Sequence, residues 1–101
     1  MNFSFALANR DKRCLFVYGR HERAVQGMHE FFQRVKDDGA TLHMASRVVR
    51  FPEGGLAKFC HVDDELRGHE IDSYEVDAAV ANRLDGTPLL TLLATRKREV
   101  I

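Results

Sequence analysis

Two stretches of the chain are almost wholly apolar: Cys14-Leu15-Phe16-Val17-Tyr18, and residues 89–94, where Thr91 alone is polar. Runs of this length without polar alternation suit strands buried on both faces, as in a parallel α/β sheet. They are the expected central strands. Between them, residues 20–38 repeat with a helical period. Ala24, Val25, Met28, Phe31, Phe32 and Val35 share one face, while Arg23, Gln26, Glu30, Gln33, Arg34 and Lys36 lie mainly on the other. Met28, Phe31, Phe32 and Val35 are therefore expected in the core. Gly39 follows as a helix stop, because glycine enters the left-handed cap conformation without steric cost.

The remaining pattern predicts short elements. Residues 3–8 are apolar except for Ser4 and read as a short strand, with Phe3 and Phe5 alternating on it. Asn9-Arg10-Asp11-Lys12 is a polar turn. Residues 41–44 form a short strand. Residues 47–51 and 56–62 flank Pro52-Glu53-Gly54-Gly55, where proline presets φ and glycine permits positive φ, so they read as a β-hairpin. Residues 63–68 are a polar loop, 71–76 a strand, and 78–84 a short helix closed by Asp85-Gly86. The order strand, helix, hairpin, strand, helix, strand predicts an α/β fold spanning residues 1–101 as a single domain. Its sheet is mixed and mostly parallel, of about five or six strands, with a β-hairpin and flanking helices.

Composition narrows the function classes. The chain has 101 residues, a length for one domain, and 45% hydrophobic content supports a packed core. Fifteen basic and 15 acidic side chains balance to zero, which argues against a strong nonspecific nucleic-acid binder. No apolar run approaches the roughly 18–20 residues that span a bilayer, so no membrane partner is expected. The first residues lack the basic and apolar regions of a secretory signal. Cys14 and Cys60 are too few for a disulfide scaffold and read as reduced thiols, which implies the cytoplasm.

From Arg13 onward the motifs have a recognisable order. Arg-Phe-Pro-Glu-Gly-Gly-Leu-Ala-Lys-Phe at 50–59 is followed by Leu66-Arg67-Gly68, then by Ile71-Asp72 and by Asp77-Ala78-Ala79, and the apolar strand at 89–94 leads into Thr95-Arg96. This resembles the ATPase core of phage terminase large subunits, the DNA-packaging motors, and more distantly superfamily-two helicases. The resemblance covers about residues 13–96 and implies a truncated ATPase-like core, with Asp77 at the magnesium position. Three departures bear on activity. The chain has no Gly-x-x-x-x-Gly-Lys-Ser/Thr loop to cradle phosphates. Ala78 stands where the resemblance implies the catalytic glutamate, and a methyl group cannot deprotonate water. Glu75 interrupts a normally apolar strand, so either one face of this strand is more exposed than the resemblance implies or Glu75 pairs with an arginine such as Arg67 or Arg83.

The implied protein is a non-catalytic, ATPase-inactive phage or prophage protein of the host cytoplasm, using no cofactor and acting by binding. Its expected partner is a second copy in a homodimer or a larger phage or host protein, with nucleic acid as a further candidate. Loss of the P-loop segment implies open sheet edges and one exposed apolar sheet face, and residues 3–8 are expected to cap their own sheet or to pair with a second copy. Two alternatives stand beside this: a metal-dependent nuclease, or one half of a split packaging motor. A nuclease would use converging carboxylates, with Asp63, Asp64, Asp72 and Asp77 as candidates and Asp72 and Asp77 the metal pair. His21, His29, His43, His61 and His69 lack zinc-type spacing and read as surface or part-buried groups. Basic candidates for nucleic-acid or partner contacts are Arg50, Lys58, Arg67, Arg96, Lys97 and Arg98.

Overall fold

The computed structural model describes residues 1–61 and 71–78. Five strands form one mixed sheet: β1 (Arg13–Tyr18), β2 (Thr41–His43), β3 (Val48–Arg50), β4 (Leu56–His61) and β5 (Ser73–Val76), in the order β2-β3-β4-β1-β5. Strands β4 and β5 both run parallel to β1, whereas the β2-β3 and β3-β4 pairs are antiparallel. The fold is therefore α/β with a parallel core extended on one side by the hairpin. The apolar run at 14–18 is indeed central, paired on both sides and buried along its length.

Helix α2 (His21–Val35) packs on one face of the sheet through Ala24, Gly27, Met28, Phe31 and Val35. These are spaced as one face of a helix. A 3-10 turn at Lys36–Asp38 follows, and Gly39 closes it with φ of 87°. The hairpin turn closes through the amide of Gly54 donating to the carbonyl of Phe51, with Gly54 at φ 102°. The next residue, Gly55, has no room for a Cβ. It would meet the carbonyls of Arg10 and Lys12, and the Gly55 amide already donates to the Arg10 carbonyl. That close approach pins the hairpin to the turn before β1.

Two expectations need correction. Residues 3–8 are not a strand. Ser4–Ala8 is a short α-helix, α1, entered through Phe3 at a left-handed φ of 61°. Five residues are too few to be helical alone in water, so tertiary contacts hold this turn. The Phe3 ring is 1% exposed and sits edge-on to Phe16 and Phe31, each at 5.2 Å. Arg34 lies over the same ring at 5.4 Å. The segment therefore covers the helix-bearing face of its own sheet, not an edge. The second correction is Phe32, which is only half-buried at the margin of the core. The fully buried aromatic of α2 is Phe31, one residue earlier.

The other face of the sheet carries a smaller cluster of Leu15, Val17, Cys60 and Ile71, flanked by Tyr74 and Val76. Among the described residues, no helix is long and apolar enough to cross a membrane. The helix and strand expected at 78–84 and 89–94 lie outside the described residues, except for Ala78. Truncating Phe31 to Ala is expected to cost about 3–5 kcal/mol, because it opens a cavity where four aromatic rings meet. Phe32→Ala is expected to cost clearly less. Urea unfolding of both variants checks the ranking, and the reverse order would contradict this packing.

Candidate functional site

Parallel strands bring their carboxyl ends to the same side, and a crevice opens where the chain leaves the central strand in opposite directions. Here that point is the end of β1. After β1 the chain passes through α2 and the hairpin to β4 on one side, and β5 takes the place on the other. Tyr18, His61 and Asp77 stand at these strand ends. A cleft of about 80 Å³ opens there, lined by Tyr18, Arg23, Gln26, Gly27, Glu30 and Asp77, together with Met1.

The local sequence explains each placement. Pairing of Phe16 with Glu75 and of Cys14 with Ser73 puts Ser73, Glu75 and Asp77 on the α2 side of β5. The Asp77 amide donates to the Val17 carbonyl at 2.9 Å, which fixes the start of the chain leaving β5. Tyr18 lies under α2, and only glycine is tolerated opposite it. A Cβ at Gly27 would fall on the Tyr18 hydroxyl and ring. The Tyr18 hydroxyl is buried and has no hydrogen-bond partner among the described residues. Glu75 Oε2 is likewise buried without a hydrogen-bond partner among the described residues. Arg67 and Arg83, expected beside Glu75, lie outside the described residues.

Burial, then the carboxylates of Glu30, Asp77 and Glu75, push the Tyr18 hydroxyl far above its ordinary pKa, with Arg23 pulling the other way. The hydroxyl stays protonated, able to donate or accept one hydrogen bond. His21 and His61 meet edge-on at 5.7 Å at the same end of the sheet. The thiols lie elsewhere. Cys14 accepts a hydrogen bond from Ser73 Oγ at 3.3 Å, and Cys60 donates to the Phe16 carbonyl at 3.6 Å. Both are buried, and burial pushes the Cys14 thiol up.

The sequence candidates are dispersed. Asp72 accepts a hydrogen bond from the Arg13 amide at 2.9 Å, so it sits at the opening end of β1. Asp77 sits at the other end, about 16 Å away at roughly 3.3 Å per strand residue. These two carboxylates are not brought together on one ion. Among the described residues, no three His, Cys, Asp or Glu side chains are grouped to hold a metal. Arg50 is exposed on β3 and is a diagonal neighbour of Lys58, whose ammonium donates to the Ser46 carbonyl at 2.7 Å. Asp63, Asp64, Arg67, Arg96, Lys97 and Arg98 lie outside the described residues.

Tyr18, Gly27 and Glu30 escaped the sequence reading. Tyr18 reads there as one more apolar strand residue, Glu30 as part of the polar helix face, and Gly27 is not singled out. The available signal was position: the last residue of a central parallel strand, followed by a glycine and a helix. No protein-family model matches the chain, and no curated protein or solved structure matches it either.

The shifted hydroxyl has a consequence at high pH. The unfolded chain ionises this tyrosine near its ordinary value of 10.0, and the folded chain does so only well above it. Stability from the neutral hydroxyl is therefore complete below that value and is lost as pH climbs past it. The melting temperature of the wild type is expected to fall more steeply between about pH 9 and about pH 11 than that of Tyr18→Phe. Parallel thermal melts check this, and equal slopes would contradict it.

Proposed function

We propose that the chain is a non-catalytic binding domain of phage or prophage origin, built on a packaging-ATPase-like sheet without a phosphate loop. The observation that supports this best is the arrangement of strands. Strand β1 runs parallel between β4 and β5, the antiparallel hairpin extends the sheet beyond β4, and Asp77-Ala78 leaves β5 beside the end of β1. A terminase-like order of motifs along the sequence implies such a neighbourhood. Ala78 follows Asp77 as an exposed methyl group, with no carboxylate to orient or deprotonate a water.

The partner we favour is a protein, either a second copy or a larger phage or host protein. A nucleic-acid interface spends its cations on phosphates. Here Arg10 pairs with Asp38 at 2.7 Å, Arg47 donates to the Phe59 carbonyl, and Lys58 donates to the Ser46 carbonyl. The zero net charge points the same way. The nuclease alternative loses support from the separation of Asp72 and Asp77. Isothermal calorimetry with ATP and magnesium is expected to give no saturable heat. Binding at micromolar affinity would overturn the reading of a domain that has lost its nucleotide site.

A further inference from the structure

The histidines are scattered through the sequence without ligand spacing, yet the fold brings two of them together. Side chains alternate along β4, and Ala57 and Phe59 lie in the core beneath α2, so His61 points to that same face. The parallel register sets His61 level with Tyr18, the last residue of β1. From there Gly19 and Arg20 lead directly into α2, whose first residue is His21. The two rings meet with centroids 5.7 Å apart and planes at 90°. Solvent reaches both, since His21 is exposed and His61 half-buried.

This spacing is close to that of a chelating pair. A metal–nitrogen bond of about 2.0–2.1 Å and a tetrahedral angle put two coordinated imidazole centroids about 5 Å apart. The perpendicular planes are no obstacle, because each ring needs only to hold the ion in its own plane. The donor type selects the ion. Imidazole nitrogen suits zinc, copper and nickel, whereas magnesium and calcium take oxygen ligands. Cys60, the neighbour of His61 in sequence, belongs to the cluster on the opposite face of the sheet and takes no part. The start of a helix carries partial positive charge, and Glu22 in the first turn of α2 counters it.

We infer that His21 and His61 together bind one divalent first-row metal ion of the zinc, copper and nickel class, each through one ring nitrogen, with water in the remaining positions. Two protein ligands make this an exchangeable site on the surface, at the end of the sheet where β1 and β4 finish. The inference goes beyond the reading of the chain as a binding domain and does not depend on it.

The test is an NMR titration of the full chain with zinc chloride at about pH 8, where imidazole is neutral. The ring protons of His21 and His61 are expected to shift together on one saturable curve. Those of His43, exposed on β2, are expected to stay in place over the same range, and magnesium chloride is expected to move none of them. His21 is exposed at the helix start, so His21→Ala keeps the fold. It is expected to weaken zinc binding about tenfold or more, because the second imidazole no longer adds its effective concentration to the first. His61→Ala is expected to give a similar loss and His43→Ala none. Absence of saturable shifts with zinc, separate midpoints for His21 and His61, or wild-type affinity in His21→Ala would overturn the inference.

Discussion

The stacking of Phe16 on Phe59 is the contact on which the rest of the described structure depends. The two residues are partners in the parallel register of β1 and β4, and their rings lie 5.0 Å apart and nearly parallel. Phe31 descends from α2 onto both, at 5.9 Å and 5.6 Å. Phe3 closes the group from the chain start. Aromatic groups of this kind bury large areas and favour offset or edge-on geometries, so they fix orientation as well as adding stability. The left-handed backbone at Phe3 is strained for a residue with a side chain. It is held because the ring has one place to go.

Fixing Phe31 fixes the rotation of α2. One turn earlier on the same face, Gly27 then meets Tyr18, and Arg23, Gln26 and Glu30 line the cleft beside it. The cleft is thus a consequence of core packing. Strand β5 completes it, because pairing with β1 carries Glu75 and Asp77 to the same face. A polar crevice at the end of a parallel core arises here from an aromatic contact below it and a missing Cβ beside it.

The core strand, the main helix, its glycine stop and the hairpin were all legible in the sequence. Each is dictated by local periodicity or by a residue with special φ, as at Gly39 and Gly54. What escaped was decided by distant contacts. Residues 3–8 carry an apolar alternation that a strand would use, yet α1 forms because Phe3 is drawn into a pocket made by residues from β1, α2 and β4. Phe31 and Phe32 are adjacent and alike, and only the rotation of α2 decides which is buried. The cleft was illegible for the same reason. Its lining comes from the chain start, α2, β1 and the end of β5, and one member, Tyr18, looks like core in the sequence. Asp72 and Asp77, which stand close in sequence, are sent to opposite ends of one strand by its extended backbone.

The central claim is that β1 is paired on both sides, by β4 through the aromatic stack and by β5 through the strand that bears Asp77. Hydrogen exchange of single amides tests it directly. The carbonyls of Arg13 and Val17 accept bonds from Asp72 and Asp77, so the odd-numbered positions of β1 face β5 and the even-numbered ones face β4. The account predicts that the amides of Leu15 and Val17 are protected to the same degree as those of Phe16 and Tyr18, all opening only with the whole domain. Rapid exchange at Leu15 and Val17 with protection confined to Phe16 and Tyr18 would contradict it, because β1 would then be an edge strand and nothing would hold Asp77 at the cleft.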